Sequence, residues 1–404
     1  MNFIGRRYYR LNKFLLLCLG LWPYQTSVWK KIQIIFFQTL FISFLVCQCN
    51  TFLINQYSID HIVRISLFIV INCIYIIKYN ACLLLTDNIK YIFDRVQYDW
   101  NMLKAQAELK MIQRYANDAK LYTVCFTILS HLCLLGLLIL YCIPYVFDVT
   151  IPMNDSQPQI VLIRVEYFID KEKYFFAILT HIILTQYVGC ITITAIATIL
   201  IAYVLHTCAM FRIASYRIEH MFDENIRQIP KNIREHILYE KLIHAVYIHR
   251  RAVDLVDIMT NSFATLYFVL LGFGIASTSL SFVNLFNTIV SLHELELILS
   301  IGIVVLHLYY IFLGNYVGQN IIDNSISICE ATYNMQWYAA PLWMQKLMLF
   351  IMQRSNKKSA LTAGGLFDAS LEGFATLMSM SISYVMLLQS METHKKNEDD
   401  NSHI

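Results

Sequence analysis

Four hydroxyl side chains lie on one face of an apolar segment close to the end of the sequence. Thr376, Ser379, Ser383 and Ser390 follow one another at spacings of three, four and seven residues, which places them on one side of an α-helix. Leu387 shares that side. Such a stripe could line a water-filled conduit with an apolar gate. It could equally allow another helix to pack closely against it, and both interpretations remain open from these residues alone.

Three histidines lie inside apolar segments, where a polar side chain needs a hydrogen-bond partner. They are His131, His181 and His307. Structural hydrogen bonding would explain all three, and a ligand cavity is a second explanation for His181. The eleven cysteines include no Cys-x-x-Cys pair, so we expect them to be packing residues rather than a disulfide scaffold or a metal site.

The sequence lacks the motifs of nucleotide-binding and hydrolytic enzymes, such as Gly-x-Ser-x-Gly and His-Glu-x-x-His. Its apolar segments also lack the paired carboxylates that ion-coupled transport would need. We therefore expect neither an enzyme nor a transporter, and no cofactor or metal. The net charge of +3 is too small to indicate binding to nucleic acid.

The elements that must position these residues are membrane-spanning helices. Hydrophobic residues make up 57% of the chain and charged residues 15%, whereas soluble domains carry about 25% charged residues. Seven apolar segments are long enough to cross a bilayer, which predicts an all-α, seven-transmembrane protein. They are Ile32–Ile54, Ile62–Leu85, Leu121–Phe147, Tyr174–Met210, Ile258–Val290, Leu295–Val317 and Leu371–Gln389.

The distribution of positive charge predicts the orientation of these spans. Of the 31 lysines and arginines, 24 fall in segments that would lie inside the cell if the N-terminus is cytosolic. Because positive loops stay on the cytosolic side, we expect the N-terminus inside and the C-terminus outside. The Asn154-Asp155-Ser156 sequon then lies in an outside loop, where Asn154 could be glycosylated.

Three shorter segments complete the pattern. Phe14–Trp22 resembles a signal peptide but lacks a cleavage site, so we expect an uncleaved interfacial or re-entrant segment. Pro341–Met352 is too short to span and predicts a helix on the charged side. Ala363-Gly364-Gly365 could serve as a hinge or as a simple turn.

Several short motifs follow one another along nearly the whole chain. They are Gly20-Leu-Trp-Pro-Tyr24, Asp99-Trp100, Glu108-Leu-Lys-Met-Ile-Gln-Arg-Tyr115, Val165-Glu-Tyr-Phe-Ile-Asp-Lys-Glu-Lys-Tyr174, Ile248-His-Arg-Arg251, Trp337-Tyr338, Gln353-Arg-Ser355, Ser370-Leu-Glu-Gly-Phe-Ala375 and Ser383-Tyr384. Taken in this order, they resemble insect odorant receptors, and most of all those of ants, bees and wasps.

The resemblance implies a subunit of an odorant-gated, non-selective cation channel in the plasma membrane of olfactory sensory neurons. Family members assemble as tetramers with a shared co-receptor, Orco, and bind small apolar odorants among helices surrounded by lipid. The implied division is a cytosolic segment (1–31), six spans with a ligand pocket in their outer half (32–317), a cytosolic anchor (318–370), and a pore helix with an outside tail (371–404). The second inside loop is too short for a co-receptor, so the chain resembles a ligand-selective subunit.

The resemblance also suggests particular residues. Leu387 would lie near the gate, with Gln389 or Ser390 beyond it. Pocket candidates can be chosen only by depth and helix face, and packing or lipid contact is an alternative for each. They are Phe68, Ile69, Asn72, Leu134, Leu137, Tyr141, Tyr174, Ile178, His181, Ile182, Phe282 and Val304. A gustatory receptor channel is the first alternative function, and a G-protein-coupled receptor is a less favoured one.

Overall fold

A computed structural model describes residues 4–53, 59–150, 165–170, 173–222, 229–291 and 294–402. These ranges contain ten α-helices, three short 3-10 helices and one hairpin of two short strands. The helices are α1 (Arg10–Cys18), α2 (Val28–Asn50), α3 (Ile59–Leu84), α4 (Thr86–Met102), α5 (Gln106–Thr150), α6 (Phe175–Glu219), α7 (Lys231–Ser291), α8 (Glu294–Asn334), α9 (Leu342–Asn356) and α10 (Leu371–Ser402). The strands are β1 (Thr362–Ala363) and β2 (Phe367–Asp368).

Seven of the described helices, α2, α3, α5, α6, α7, α8 and α10, are long and apolar enough to cross a membrane. The prediction of seven membrane-spanning helices is therefore confirmed. The structure differs from the sequence-based prediction in the length of the helices. Helix α7 has 61 residues and would extend about 90 Å at 1.5 Å per residue, far more than the hydrocarbon core of a bilayer at about 30 Å.

The extra length of α5, α6, α7 and α8 lies at one end of the bundle. Arg217, near the end of α6, donates from Nε to Glu108 Oε1 in the first turns of α5 at 2.6 Å. It also donates from Nη1 to the carbonyl oxygen of His244 in α7 at 3.0 Å. Tyr115 of α5 donates to Asn324 Oδ1 of α8 at 3.1 Å. The positively charged segments that the sequence predicts to be inside thus assemble into one helical domain.

Helix α6 is the central element of the fold. It packs against α5, α7 and α8, and nearly every side chain from Ala195 to Ser215 is buried. This burial follows from the sequence of α6, because a helix that is apolar on every face is stable only when other apolar groups surround it. The threonine hydroxyls of α6 are satisfied by backbone carbonyls of the same helix, as when Thr198 Oγ1 donates to the carbonyl of Thr194 at 2.8 Å.

The N-terminal segment is part of the core. Helix α1 packs against α6 and α5, and Leu16 and Trp22 are buried. Tyr8 stacks on Trp100 of α4 at a ring-centroid distance of 5.6 Å, and Asn12 Nδ2 donates to Thr123 Oγ1 at 3.2 Å. The predicted interfacial or re-entrant segment is therefore a packed helix followed by a buried turn.

The connection into the last helix is the hairpin β1–β2. Gly364 and Gly365 have φ values of +61° and +72°, which is the left-handed region that glycine enters without strain. The glycine pair thus supplies the first two residues of the three-residue connection between the paired residues Ala363 and Phe367. The Gly364 N–H donates to the carbonyl of Ala264 in α7 at 3.1 Å, which fastens the turn to the bundle.

A close backbone contact holds this connection against α8. A Cβ atom on Gly318 would lie 2.3 Å from the carbonyl oxygen of Ala369, so the two segments can touch only because residue 318 has no side chain. We expect Gly318→Ala to reduce the free energy of unfolding by about 1–3 kcal/mol, as overpacking does. Thermal unfolding of the purified protein measures this.

Gly302→Ala is the matched control for Gly318→Ala. Gly302 lies on the same helix, and a Cβ added there meets no neighbouring group within 4 Å. This control should be neutral or slightly stabilising, since alanine favours the helix over glycine by about 1 kcal/mol. Equal effects of the two substitutions would contradict the role of the close contact.

Candidate ligand cavity and pore helix

A cavity of about 460 Å³ lies among α3, α5, α6, α7, α8 and α10. This volume falls in the range of small-molecule sites, about 300–1,000 Å³. Most of its wall is aliphatic or aromatic, with Phe68 and Phe126 among the lining residues. The cavity continues to the hairpin β1–β2 and to Gly373, Leu377 and Ser381 of α10. A ligand in it can therefore reach groups on the last helix.

Helix α3 contributes a regular stripe to the cavity wall. Phe68, Ile71, Tyr75 and Lys78 line it, and their spacing of three, four and three residues is that of one helical face. Gly189 of α6 makes room for the Tyr75 ring, because a Cβ there would lie 2.3 Å from the ring carbon Cδ2. The placement of the ring thus depends on a glycine in the facing helix.

A few polar groups interrupt the apolar wall. Lys78 of α3 is 5% exposed, and its Nζ donates to the hydroxyl of Tyr310 in α8. The Lys78 Nζ also lies 4.9 Å from the centroid of the Tyr310 ring. Tyr75 donates to Gln186 Oε1 at 3.3 Å. The Gln186 Nε2 atom is buried and has no hydrogen-bond partner among the residues that the structure describes.

Acidic groups are scarce in the cavity. Asp368 of β2 is the one acid among its described lining residues, and it accepts a hydrogen bond from Lys358 Nζ at 2.6 Å. This hydrogen bond and the Asp368 charge raise the pKa of the Lys358 amine above its ordinary value. The Asp368 carboxylate therefore already has a basic partner at the hairpin.

Two of the pocket candidates chosen from the sequence, Phe68 and Leu134, line this cavity. Ile178 and Ile182 of α6 do not. They pack with Phe44 of α2 and Leu299 of α8 in a small cluster that also touches Phe68. The structure thus brings three of the chosen residues, from two helices, together in a cluster beside the cavity.

The polar candidates Asn72 and His181 have partners on α2. Asn72 is fully buried and donates to the carbonyl of Phe41 at 3.4 Å. His181 Nε2 lies 3.1 Å from Ser43 Oγ, and His181 Nδ1 lies 2.7 Å from the hydroxyl of Tyr167. The His181 contacts correspond to the structural hydrogen bonding considered for it from the sequence.

The remaining candidates are not among the described residues that line the cavity. Ile69 is half-buried, Tyr174 is exposed and Val304 is buried. Phe282 packs beside the cluster of Val63, Val283 and Val385. The side chains of Leu137 and Tyr141, and the whole of Asn154, lie outside the described residues.

Sequence reasoning passed over Lys78, Tyr75, Gln186 and Tyr310 as site residues. One signal was available, since Lys78 is a charged residue inside an apolar span, and such residues usually face a cavity or a polar partner. The other three required the folded structure, because only the packing of α3 and α8 against α6 brings them to one wall.

Helix α10 lies at the edge of the bundle and packs mainly on α7 and α8. Its buried face carries Ser381 and Val385, and Ser279 Oγ of α7 donates to the Ser381 carbonyl at 3.2 Å. The hydroxyl stripe faces away from the bundle. Ser379, Ser383, Leu387 and Ser390 are exposed, whereas Thr376 and Gln389 are half-buried.

The start of α10 is held by hydrogen bonds. Ser370 is its N-cap, and Ser370 Oγ accepts from the Gly373 N–H at 2.9 Å. Asn315 Oδ1 and Gln319 Oε1 of α8 accept from the backbone N–H groups of Ser370 and Leu371, each at 3.2 Å. Asn315 lines the cavity, and Gln319 directly follows the lining residue Gly318. A shift of α8 would therefore move the start of α10.

A buried ionic cluster ties the long helices together. Asp99 of α4 is 1% exposed. Its Oδ1 accepts from Arg251 Nε of α7 at 2.7 Å, and its Oδ2 lies 3.1 Å from His206 Nε2 of α6. This cluster joins three helices beneath the cavity-bearing part of the bundle.

The fold resembles that of a solved receptor structure. The olfactory receptor OR5 from Machilis hrabei, in complex with eugenol, superposes with a TM-score of 0.78 over 96% of this chain and 98% of that chain, at 12% sequence identity. The shared architecture is therefore that of the whole bundle.

Sequence comparison identifies the family. Odorant receptor 22c of Drosophila melanogaster is 23% identical over 222 residues, which cover 52% of this chain and 53% of that protein. The chain thus spans about half the length of this curated relative. The odorant receptor coreceptor of Aedes aegypti is 27% identical over 92 residues, or 23% of this chain and 19% of the coreceptor. The profile of the family described as 7tm Odorant receptor matches residues 59–382, and the chain therefore belongs to this odorant receptor family.

Proposed function

We propose that this protein is a ligand-selective subunit of an odorant-gated, non-selective cation channel. The observation that carries the proposal is the extent of the cavity, which reaches from Phe68 of α3 to Leu377 and Ser381 of α10. A small apolar odorant in this cavity would contact the helix that carries the hydroxyl stripe. Burial of its surface would supply about 25 cal/mol per Å² of binding energy.

In this proposal the last helix lines the pore and Leu387 forms the gate. The exposed stripe of Ser379, Ser383 and Leu387 supports it, because none of the described helices covers that face. One helix does not enclose a pore, so several subunits must place α10 around a common axis. Ligand binding would shift the population towards a state in which the Leu387 ring is wider and wet.

The proposed partner is the odorant co-receptor, in a tetramer in the plasma membrane of olfactory sensory neurons. The similarity to the coreceptor of Aedes aegypti supports related assembly surfaces. Within such a complex the proposed division follows the sequence-based one, with residues 1–31 and 318–370 cytosolic, 32–317 bearing most of the ligand cavity, and 371–404 bearing the pore helix and outside tail.

Current recording tests the proposed function directly. The chain is expressed with the co-receptor and without it, and whole-cell currents are measured during a panel of volatile and hydrocarbon stimuli. We expect ligand-evoked cation currents only with the co-receptor. Currents from the chain alone would favour a gustatory-type channel, and ligand responses that require a G protein would contradict a channel altogether.

The proposed orientation predicts the accessibility of epitope tags. With 24 of the 31 lysines and arginines on the inner side, an N-terminal tag should be stained only after the cells are permeabilised, and a C-terminal tag in intact cells as well. Immunofluorescence with both tags measures this. Staining of the N-terminal tag in intact cells would support the orientation of a G-protein-coupled receptor instead.

A further inference from the structure

Two side chains of the cavity wall, Lys78 and Gln186, have hydrogen-bond donors that the described residues do not fully satisfy. The side-chain Nζ of Lys78 donates to one hydroxyl, that of Tyr310. The Gln186 Nε2 atom is buried without a partner among the described residues. Both residues line the cavity. A buried donor without an acceptor loses hydration without compensation, so each of these groups favours a ligand that supplies an acceptor.

The protein supplies no acidic partner for Lys78 within the described wall. Asp368, the acid that lines the same cavity there, is bound to Lys358 at the hairpin. The Tyr310 hydroxyl and ring stabilise the Lys78 cation in part. An ammonium group has three N–H donors, and one hydroxyl acceptor leaves the others available to a ligand.

The rest of the wall determines the remainder of the ligand. Phe68, Ile71 and Leu134 present hydrocarbon along the cavity. Tyr75, between Ile71 and Lys78 on the same helix face, directs its hydroxyl to Gln186 Oε1. The Gln186 amide is thereby oriented, because its oxygen is engaged and its nitrogen is left as the donor. The wall thus combines an apolar channel with a donor pair at α3 and α6.

We propose that this cavity selects apolar chains that end in an acceptor oxygen, with a carboxylate bound more tightly than a carbonyl and both more tightly than a plain hydrocarbon. Lys78 and Gln186 are the specificity-determining residues. This inference rests on the proposed function, because it assigns the ligand class of the same cavity. It goes further in naming the head group that the ligand must carry.

The experiment measures binding by ligand-induced thermal stabilisation of the purified full-length receptor at neutral pH. Octane, octanal and octanoic acid serve as ligands with one chain length. For the wild type we expect apparent affinity to rise in that order. In Lys78→Met the acid should lose about tenfold or more in affinity, as expected for a lost hydrogen bond to a charged group, while octane changes little.

Three further variants secure the interpretation. Lys78→Arg keeps the charge and the donors, so it should retain the preference for the acid. Gln186→Leu removes the second donor and should weaken octanal and octanoic acid relative to octane, which decides the matter if Lys78→Met does not fold. Ile71→Val changes only the apolar wall and should affect all three compounds alike.

Two results would overturn the inference. One is a wild type that does not distinguish the acid from octane, and the other is an unchanged preference in both Lys78→Met and Gln186→Leu. Recording the same ligands on the channel with the co-receptor separates this inference from the proposed function. Head-group-dependent stabilisation without any evoked current would support the ligand class and contradict the channel.

Discussion

Leu387→Ala should raise the resting current of the channel when the variant is expressed with the co-receptor. Leu387 is 54% exposed and lies on the same side of α10 as Ser379 and Ser383. A ring of leucines excludes water from a narrow pore, whereas alanines leave it wider and less apolar. A loss of only about 1.4 kcal/mol in the stability of the closed state raises a rare open state about tenfold. Whole-cell current without ligand is the measurement.

The matched control for the gate is Ile382→Ala. Ile382 lies on the same helix with a similar exposed fraction of 48%, but five residues away and therefore on a different side. It should leave the resting current close to that of the wild type at equal surface expression. Normal resting and evoked currents in Leu387→Ala would show that the gate lies elsewhere. An equal rise of the resting current in both variants would contradict a specific gating role for Leu387.

Asp99→Asn should cause the largest loss of stability among the substitutions considered for this protein. Asp99 accepts from Arg251 and contacts His206, and its side chain is 2% exposed. Removing one partner of a buried ion pair leaves the other charge uncompensated, which typically costs about 3–5 kcal/mol. We therefore expect a marked fall in the thermal unfolding temperature of the purified protein and a lower amount at the cell surface.

Asp254→Asn provides the comparison for Asp99→Asn. Asp254 also pairs with an arginine, Arg95, at 3.3 Å, but its side chain is 44% exposed. A pair that is open to solvent is typically worth about 0–1 kcal/mol, so this variant should unfold close to the wild type. Similar unfolding temperatures for the two variants would mean that the Asp99 cluster does not hold α4, α6 and α7 together.

Much of the fold follows from short-range patterns in the sequence. The seven apolar segments correspond to the seven helices that can cross a membrane, because a span needs only length and the absence of charge. The ends of the helices do not follow in this way. The charged parts of α5 and α7 continue the spans without interruption, since tertiary contacts such as Glu108–Arg217 stabilise helical turns that carry no apolar signal of their own.

The hydroxyl stripe and the cavity differ likewise in how far the sequence alone predicts them. The hydroxyl stripe of α10 could be recognised from spacing, because it belongs to one helix. The cavity wall is assembled from six helices, so of the chosen residues whose side chains the structure describes, only Phe68 and Leu134 lie on it. Asn72 satisfies the same rules of depth but faces α2, where Phe41 and Gln48 hold it.

By itself, the sequence determined that this is a seven-span helical protein, that its cationic charge is concentrated in the loops of one side, and that its last span carries a small hydroxylated face. These properties depend on composition and on the period of a single helix. Only the tertiary structure decided that Lys78 and Gln186 line the same apolar cavity, that Asp99 is enclosed by Arg251 and His206, and that Gly318 touches the segment leading into the last helix. Each of these features joins segments far apart in the chain, and its geometry depends on how their surfaces pack rather than on the residues of any one segment.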